Sequence, residues 1–435
     1  MKRGSQLSMI IIVMLLGRLA AAQIHIVIDQ PAEKRFPIAI ANLAKTEGFH
    51  EMDNLTKKIP DMIRRDLELS GYFFVIGPSA YLDRSDAVTA NTIDFQKWTA
   101  IGAMAVVKGI ARMEGGRITV DLKLFDPHSR QLQMEKQYTY EQKNLRFIGH
   151  RFADEVLLST TGLRGPFASR IAYTSETSRR KHWKQIYVME VDGENNTRLT
   201  KDKSYNLGPA WAPDGKQLVF VSYVDGFPDI YSADMRTGHR RRLTSNRSTN
   251  ITPAWSREGS LIAFASGMER DMDLYLMNTA GSDLRPLTQA FGIDIAPRFS
   301  PEGNDIVFAS ERGGKLHIYR QPVGGGTVQR LTFVGYQNDS PDWSSDGQKI
   351  TFCGRSSGTY DIFVMNSDGT NIQRLTSGAG SNEHPRWAPD GRYITFSSTR
   401  GGSPQIYMMR YDGAHQTKLS KGNGSLPDWS PWVTE

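Results

Sequence analysis

The stretch PAWAPDGKQLVFVS, Pro209–Ser222, decides the reading of this chain because it returns four more times. PAWSREGSLIAFAS, PRFSPEGNDIVFAS, PDWSSDGQKITFCG and PRWAPDGRYITFSS follow it, with Trp211, Trp255, Phe299, Trp343 and Trp387 spaced 44 residues apart. Each copy holds four short strand signals. They are Pro-x-Trp, an alternation through Leu218 and Phe220, a third around Asp229-Ile230-Tyr231, and a fourth ending Arg242-Leu243-Thr244. Period-two patterning between turn residues marks half-buried strands. Pro213-Asp214-Gly215 supplies a preset φ followed by a residue that accepts the left-handed conformation, so the first two strands form a hairpin with a bulge. A strand repeat of this length predicts a β-propeller, whose blades bury their faces against one another.

The blades can be counted. The third-strand aromatic occurs six times, at Tyr187, Tyr231, Tyr275, Tyr319, Phe363 and Tyr407, and the fourth-strand leucine six times, from Leu199 to Leu419. The last Pro-x-Trp, Pro427-Asp428-Trp429, has no second strand after it. The second strand that lacks a Pro-x-Trp is Ile171–Ser175. One blade is therefore expected to combine both ends of the region, which closes the ring and removes open sheet edges. The fold class that follows is an α/β N-terminal domain before an all-β six-bladed propeller closed by the C-terminal strand.

Four regions divide the chain. Residues 1–22 read as a secretory signal, with Lys2 and Arg3, the apolar run Met9–Leu16, and Ala20-Ala21-Ala22 before Gln23. That run is too short for a permanent membrane-spanning helix. Residues 23–35 form a separable segment whose Gln23, Ile24, His25, Ile26, Val27, Ile28 and Asp29 favour an extended strand. It is either an edge strand of the next domain or a detachable strand that pairs with a partner's sheet. Residues 36–165 alternate strand and helix patterns, including a helix over Leu55–Leu69, a hairpin about Gly115-Gly116, a strand over Gln131–Tyr140 and a helix over Leu145–Ser159. Residues 166–435 are the propeller.

Composition excludes several functions. The formal charge of +7 falls to +4 without Lys2, Arg3 and Arg18, which is too mild, in an exported chain, for nucleic-acid binding. The lone Cys353 occupies a small apolar slot held elsewhere by Ala265 and Ala309, so no internal disulfide forms. Nine histidines are scattered without ligand spacing, and no metal or cofactor is expected. Gly354-Arg355-Ser356-Ser357-Gly358 matches a nucleophile-elbow pattern, yet strand signal resumes at Tyr360 where a helix is required. Two basic runs, Ser178–His182 and His239–Arg242, read as solvated turns or a partner-facing loop.

One polar constellation remains. Asn206, Asn250, Asp294, Asn338 and Asn382 each stand three residues before the first-strand proline. They are expected either to make Asx-turns leading the loop into the strand or to ring one mouth of the channel and receive a partner.

The IHIVID start (Ile24–Asp29), the helix sequence Gly149-His150-Arg151-Phe152-Ala153-Asp154-Glu155, the W-[SA]-x-[DE]-G blades and the PDWSPW ending (Pro427–Trp432) together resemble the TolB family. That family is the periplasmic component of the Tol–Pal system of Gram-negative bacteria. The resemblance covers the whole chain and implies a non-enzymatic periplasmic scaffold, monomeric by itself, that supports outer-membrane integrity and constriction during division. It implies that the propeller mouth binds the peptidoglycan-associated lipoprotein Pal and that the N-terminal segment, here Gln23–Asp29, binds TolA. Other outer-membrane or peptidoglycan-associated proteins are further partners in this reading. Carried onto this chain, the Pal-type site includes Thr249, Asn250, Thr252, Asp294 and Ile295, with Asn206, Asn338 and Asn382 at matching positions. The rival class is an exported propeller enzyme of lyase or peptidase type using channel-lining residues.

Overall fold

The same hydroxyl bond recurs in every blade and explains the Arg-Leu-Thr ending of the repeat. Thr200, Thr244, Thr288, Thr332, Thr376 and Ser420 each accept a 2.9–3.0 Å hydrogen bond from a third-strand amide, that of Ile186, Ile230, Leu274, Ile318, Ile362 and Ile406 respectively. Second- and third-strand aromatics pair across each sheet, from Phe220–Tyr231 at 6.2 Å to Phe352–Phe363 at 5.5 Å between ring centroids. Such pairs contribute about 0.5–1.5 kcal/mol each beyond their buried area.

The computed structural model describes residues 35–45, 54–114, 117–141, 145–176, 182–268, 271–355 and 358–433. The signal-like residues 1–22 and the segment Gln23–Asp29 lie outside the described residues, as do the turn Gly115-Gly116, residues 178–181 of the first basic loop, and Ser356-Ser357.

Six four-stranded sheets form the ring. Blade 1 is composite: Ser425–Trp429 pairs with Arg170–Glu176, followed by Lys184–Glu190 and Thr197–Arg198. Blades 2 to 6 open with the first strands Asn206–Trp211, Thr249–Trp255, Asp294–Phe299, Gln337–Trp343 and Asn382–Trp387. Trp429 lies opposite Ile171, its indole N–H donates to Ser169 Oγ at 2.7 Å, and Arg170 and Ser430 exchange two further bonds. The expected closure through the C-terminal strand is therefore what the structure has.

The N-terminal domain is a mixed sheet in the order β3-β1-β4-β5-β6. Its strands are β1 (Phe36–Ile40), β2 (Ala44–Lys45), β3 (Phe73–Val75), β4 (Ala105–Glu114), β5 (Arg117–Asp126) and β6 (Gln131–Tyr140). Helices α1 (Leu55–Leu69) and α3 (Leu145–Thr161) share one apolar core with it, while the short α2 (Phe95–Ala100) packs Phe95 and Trp98 into a second core with Val106 and Phe125. Pro60 is the sixth residue of α1, past the amides that lack an acceptor, and the Thr56 carbonyl it leaves open accepts the Leu43 amide at 2.9 Å. The first core runs on into the propeller through Ile171, Tyr173, Tyr393 and Trp429, so the two domains share buried apolar surface.

Candidate functional site: the two faces of the propeller

First strands begin at one face of the ring and end at the other. Asn206 starts its strand opposite Ser222, the last residue of the second strand, so loops preceding first strands and loops joining second to third strands share the entry face. The Pro-Asp-Gly turns lie on the opposite face.

Every first strand carries a bulge that sequence reasoning missed. Gly208, Thr252, Ala296, Ser340, His384 and Leu426 occupy the same position and share φ of 52–56°. Pairing slips at this point in each blade, for instance between Leu207 and Ala210. Five of the six carry a side chain in the left-handed region, which costs each about 1–2 kcal/mol of local strain. These residues line an axial cavity of about 120 Å³ together with the prolines that follow them. The bulge turns their backbone toward the axis, and only Gly208 carried a sequence signal for it.

Below this ring the residue inside Pro-x-Trp reads Ala210, Ala254, Arg298, Asp342, Arg386, Asp428 around the circle. Arg298 Nη2 donates to Asp428 Oδ1 at 3.0 Å, and Arg386 Nε lies 3.5 Å from the same oxygen. The second oxygens of Asp428 and Asp342 accept the amides of Trp211 and Trp387, each at 2.8 Å, so each carboxylate stitches its blade to the next. Burial raises the Asp342 carboxyl above its usual range and lowers the Arg386 guanidinium to about 10, which leaves the arginine charged at neutral pH. Four alternating charges close the channel with internal ion pairs. The four charged positions are readable from the spacing of the repeats, but their pairing across the axis is not.

The predicted rim residues are placed differently from one another. Asn206, Asn250, Asp294, Asn338 and Asn382 are buried in their own blades and are not an exposed rim. Asn250 bonds Asp229, Asn246, Ser248 and Ser266; Asn382 bonds Asp361 and Arg400; Asp294 accepts from Arg312 at 2.7 Å. Asn338 donates to the Val334 carbonyl and faces His317 Nδ1, and Asn206 donates to Asp202. Apart from the Asn206 Oδ1, which is buried without a partner, their polar groups organise the loops, the local role weighed from the pattern. Thr252 and Ile295 line the axial cavity, and Thr249 is half-buried at a strand start.

What the entry face exposes instead is apolar. Phe291 is 92% exposed, Phe333 71%, Tyr336 55% and Met268 70%. They stand on the entry loops of blades 4 and 5 and at the end of the second strand of blade 3, with Lys315 Nζ 4.0 Å over the Tyr336 ring. Large apolar side chains exposed together on one face are uncommon on a surface that meets only water. The run Phe333-Val334-Gly335-Tyr336 stands out in the sequence, since the copies at 201–204 and 245–248 are polar there and the blade 4 copy holds Phe291.

On the opposite face, the N-terminal domain covers the ends of blades 6 and 1. Tyr393 OH donates to the Ser70 carbonyl at 2.9 Å, and Arg392 donates to the carbonyls of Leu163 and Arg164. Nearby, His150 on α3 sits with Nδ1 2.6 Å from Asp66 Oδ2 of α1 and Nε2 3.2 Å from Glu190 Oε2 of blade 1. Arg146 donates to both Glu190 and Asp192, and Arg65 to the Asp192 carbonyl. Burial disfavours the imidazolium, but Asp66 and Glu190 overcome it and hold His150 up to about 10. Burial likewise opposes ionisation of Glu190, yet His150 and Arg146 draw it down to about 2. Asp66, fully buried, is pushed upward by burial despite His150. His150, Glu190 and Asp192 bring ligand-type atoms within 4.8 Å of one another, but Arg146 already neutralises both carboxylates, so the group is an ion-pair network.

The Gly354–Gly358 stretch joins the strands Lys349–Arg355 and Tyr360–Asn366, so no helix follows it and the elbow geometry is not formed.

A family model described as the TolB beta propeller domain matches residues 158–360 and 336–433, and one described as the TolB amino-terminal domain matches 24–133. The chain belongs to the TolB family. A "Tol-Pal system protein TolB" from Syntrophotalea carbinolica is 37% identical over 201 residues, 46% of this chain and 46% of that protein. Its counterpart from Desulfosudis oleivorans is 34% identical over 233 residues, 53% of this chain and 52% of that protein. These matches span about half the length of the curated relatives. The crystal structure of TolB from Acinetobacter baumannii superposes with a TM-score of 0.80 at 26% identity, covering 94% of this chain and 98% of that one. Among the described residues no helix is long and apolar enough to cross a membrane.

Proposed function

We propose that this protein is a non-enzymatic periplasmic component of the Tol–Pal system, docking Pal on the propeller's entry face and TolA through Gln23–Asp29. The observation that carries the reading is the exposed arc of Phe291, Phe333 and Tyr336 beside a channel whose own charges are already paired. A surface this apolar is costly in water and is relieved when a partner covers it. Membership of the TolB family and relatives named as Tol-Pal system proteins support a role in that system, and Pal and TolA as partners are part of this reading. Catalysis needs groups free to act on a substrate, whereas the ring of Arg298, Asp342, Arg386 and Asp428 is committed to joining blades.

Titration calorimetry of the full chain against the soluble domain of a Pal-type lipoprotein tests the reading. Phe333→Ala with Tyr336→Ala is expected to weaken binding about a hundredfold, as loss of central aromatic anchors does. Deleting Gln23–Asp29 is expected to abolish TolA binding and leave Pal binding in place. Unchanged Pal affinity in the double variant, or turnover of peptide or oligosaccharide substrates, would remove the proposal in favour of another site or the enzyme class.

A further inference from the structure

We propose a second docking site, a basic groove on the face opposite the mouth that takes an extended acidic peptide segment of another protein. The groove has a volume of about 480 Å³ and lies between blades 1 and 2, where the end of Lys184–Glu190 and the outer strand Thr197–Arg198 meet the turn Met235–Gly238. Arg170, Arg198, Lys201 and Arg236 surround it. Arg198 spends its Nε on the Thr200 carbonyl, and among the described residues Arg170, Lys201 and Arg236 have no carboxylate within salt-bridge distance. The nearby carboxylates are engaged elsewhere. Glu190 is held by Arg146, His150 and Asn195, Asp202 by Arg240, and Asp234 by the amides of Arg236 and Thr237. The groove is therefore a positive surface waiting for negative charge, unlike the channel, where every cation faces an acid.

Three features select a peptide. The floor is formed by Val188, Met189, Leu199 and Met235, apolar and adaptable, which suits side chains interspersed between acids. No aromatic ring lines the groove among the described residues, so a sugar face has nothing to stack on. Thr197–Arg198 is the outermost strand of blade 1 with no strand beyond it, so its backbone edge is open to an added strand.

The probe is a labelled peptide of alternating Glu and Val, added to the full chain and followed by fluorescence anisotropy. Binding is expected, and Lys201→Glu with Arg236→Glu should weaken it by about tenfold or more, as should replacing the peptide's Glu with Gln. Raising salt from about 50 to about 300 mM should weaken it further. Both substituted side chains are exposed, so thermal melting of the double variant should match the parent, and Phe333→Ala serves as a control that leaves this binding unchanged. Absence of binding at about 1 mM peptide overturns the proposal. So does affinity indifferent to the double reversal, or capture of a sulfated oligosaccharide in its place. Pal binding by the double variant stays intact in either case, which keeps this test separate from that of the entry face.

Discussion

The two faces of the propeller are built from one repeat yet are used in opposite ways. On the entry face, large apolar side chains such as Phe291 and Phe333 project into solvent from loops whose bases are held by buried Asn and Asp. On the far face, the same ring spends side chains such as Glu190, Arg392 and Tyr393 on His150, Tyr72 and carbonyls of the N-terminal domain. Under the proposed function, a rigid disc separates recognition from assembly: one side can be reshaped by loop changes while the other side carries the stability. The strained ring at Gly208 to Leu426 sits between them and is held in place by both.

The strongest way to break that division is at His150. His150→Leu leaves Asp66 and Glu190 facing one another without the imidazolium, and unfolding free energy measured in urea should fall by about 3–5 kcal/mol. Phe333→Ala, by contrast, should change it by less than about 0.5 kcal/mol. A large stability loss at Phe333, or none at His150, would mean the faces are not divided this way.

Acidity sharpens the comparison next. His150 is raised to about 10 in the folded state, so its contribution is fully present below its unfolded value of 6.5 and is lost as pH rises from there to about 10. Glu190 is lowered to about 2, so its contribution is present above 4.5 and is lost as pH falls toward 2. Burial raises Asp154 to about 7, so its protonated form favours the fold at acid pH and that contribution is lost as pH rises from 3.8 to about 7. Stability is therefore expected to be highest at about pH 4 and to decline through neutrality, and the part of the fall above pH 6.5 should shrink in His150→Gln. A flat melting temperature from pH 6.5 to 9 would contradict the charged imidazole.

A smaller effect belongs to Tyr393→Phe. It leaves the buried Ser70 carbonyl without its 2.9 Å donor and should cost about 1–2 kcal/mol. Pal affinity should not move, because the change lies on the far face.

Legibility followed the same division. The blades, their number and the closing strand were readable because a 44-residue period repeats local patterns that each act within one hairpin. Helix α1 and strand β6 fell at their expected bounds, since amphipathic spacing and turn residues decide them locally. The left-handed ring was not readable, because Thr252, Ala296, Ser340, His384 and Leu426 have no local preference for φ above zero and are forced there by neighbouring blades. Nor was the interface network, whose His150 meets partners 84 positions earlier and 40 later in the chain. The buried Asn and Asp positions were found by spacing, but spacing does not tell which way a side chain turns once its loop folds over it.

The pairing of Ser425–Trp429 with Arg170–Glu176 has a kinetic consequence. Their partners lie some 250 positions apart, so the circle is sealed by a slow, long-range search after the other five sheets are made. Until that moment the disc is a bent ribbon with two sticky ends, vulnerable to proteases and to other unfinished ribbons. Once sealed, the ring has no free end from which a blade can peel, which favours a long-lived molecule.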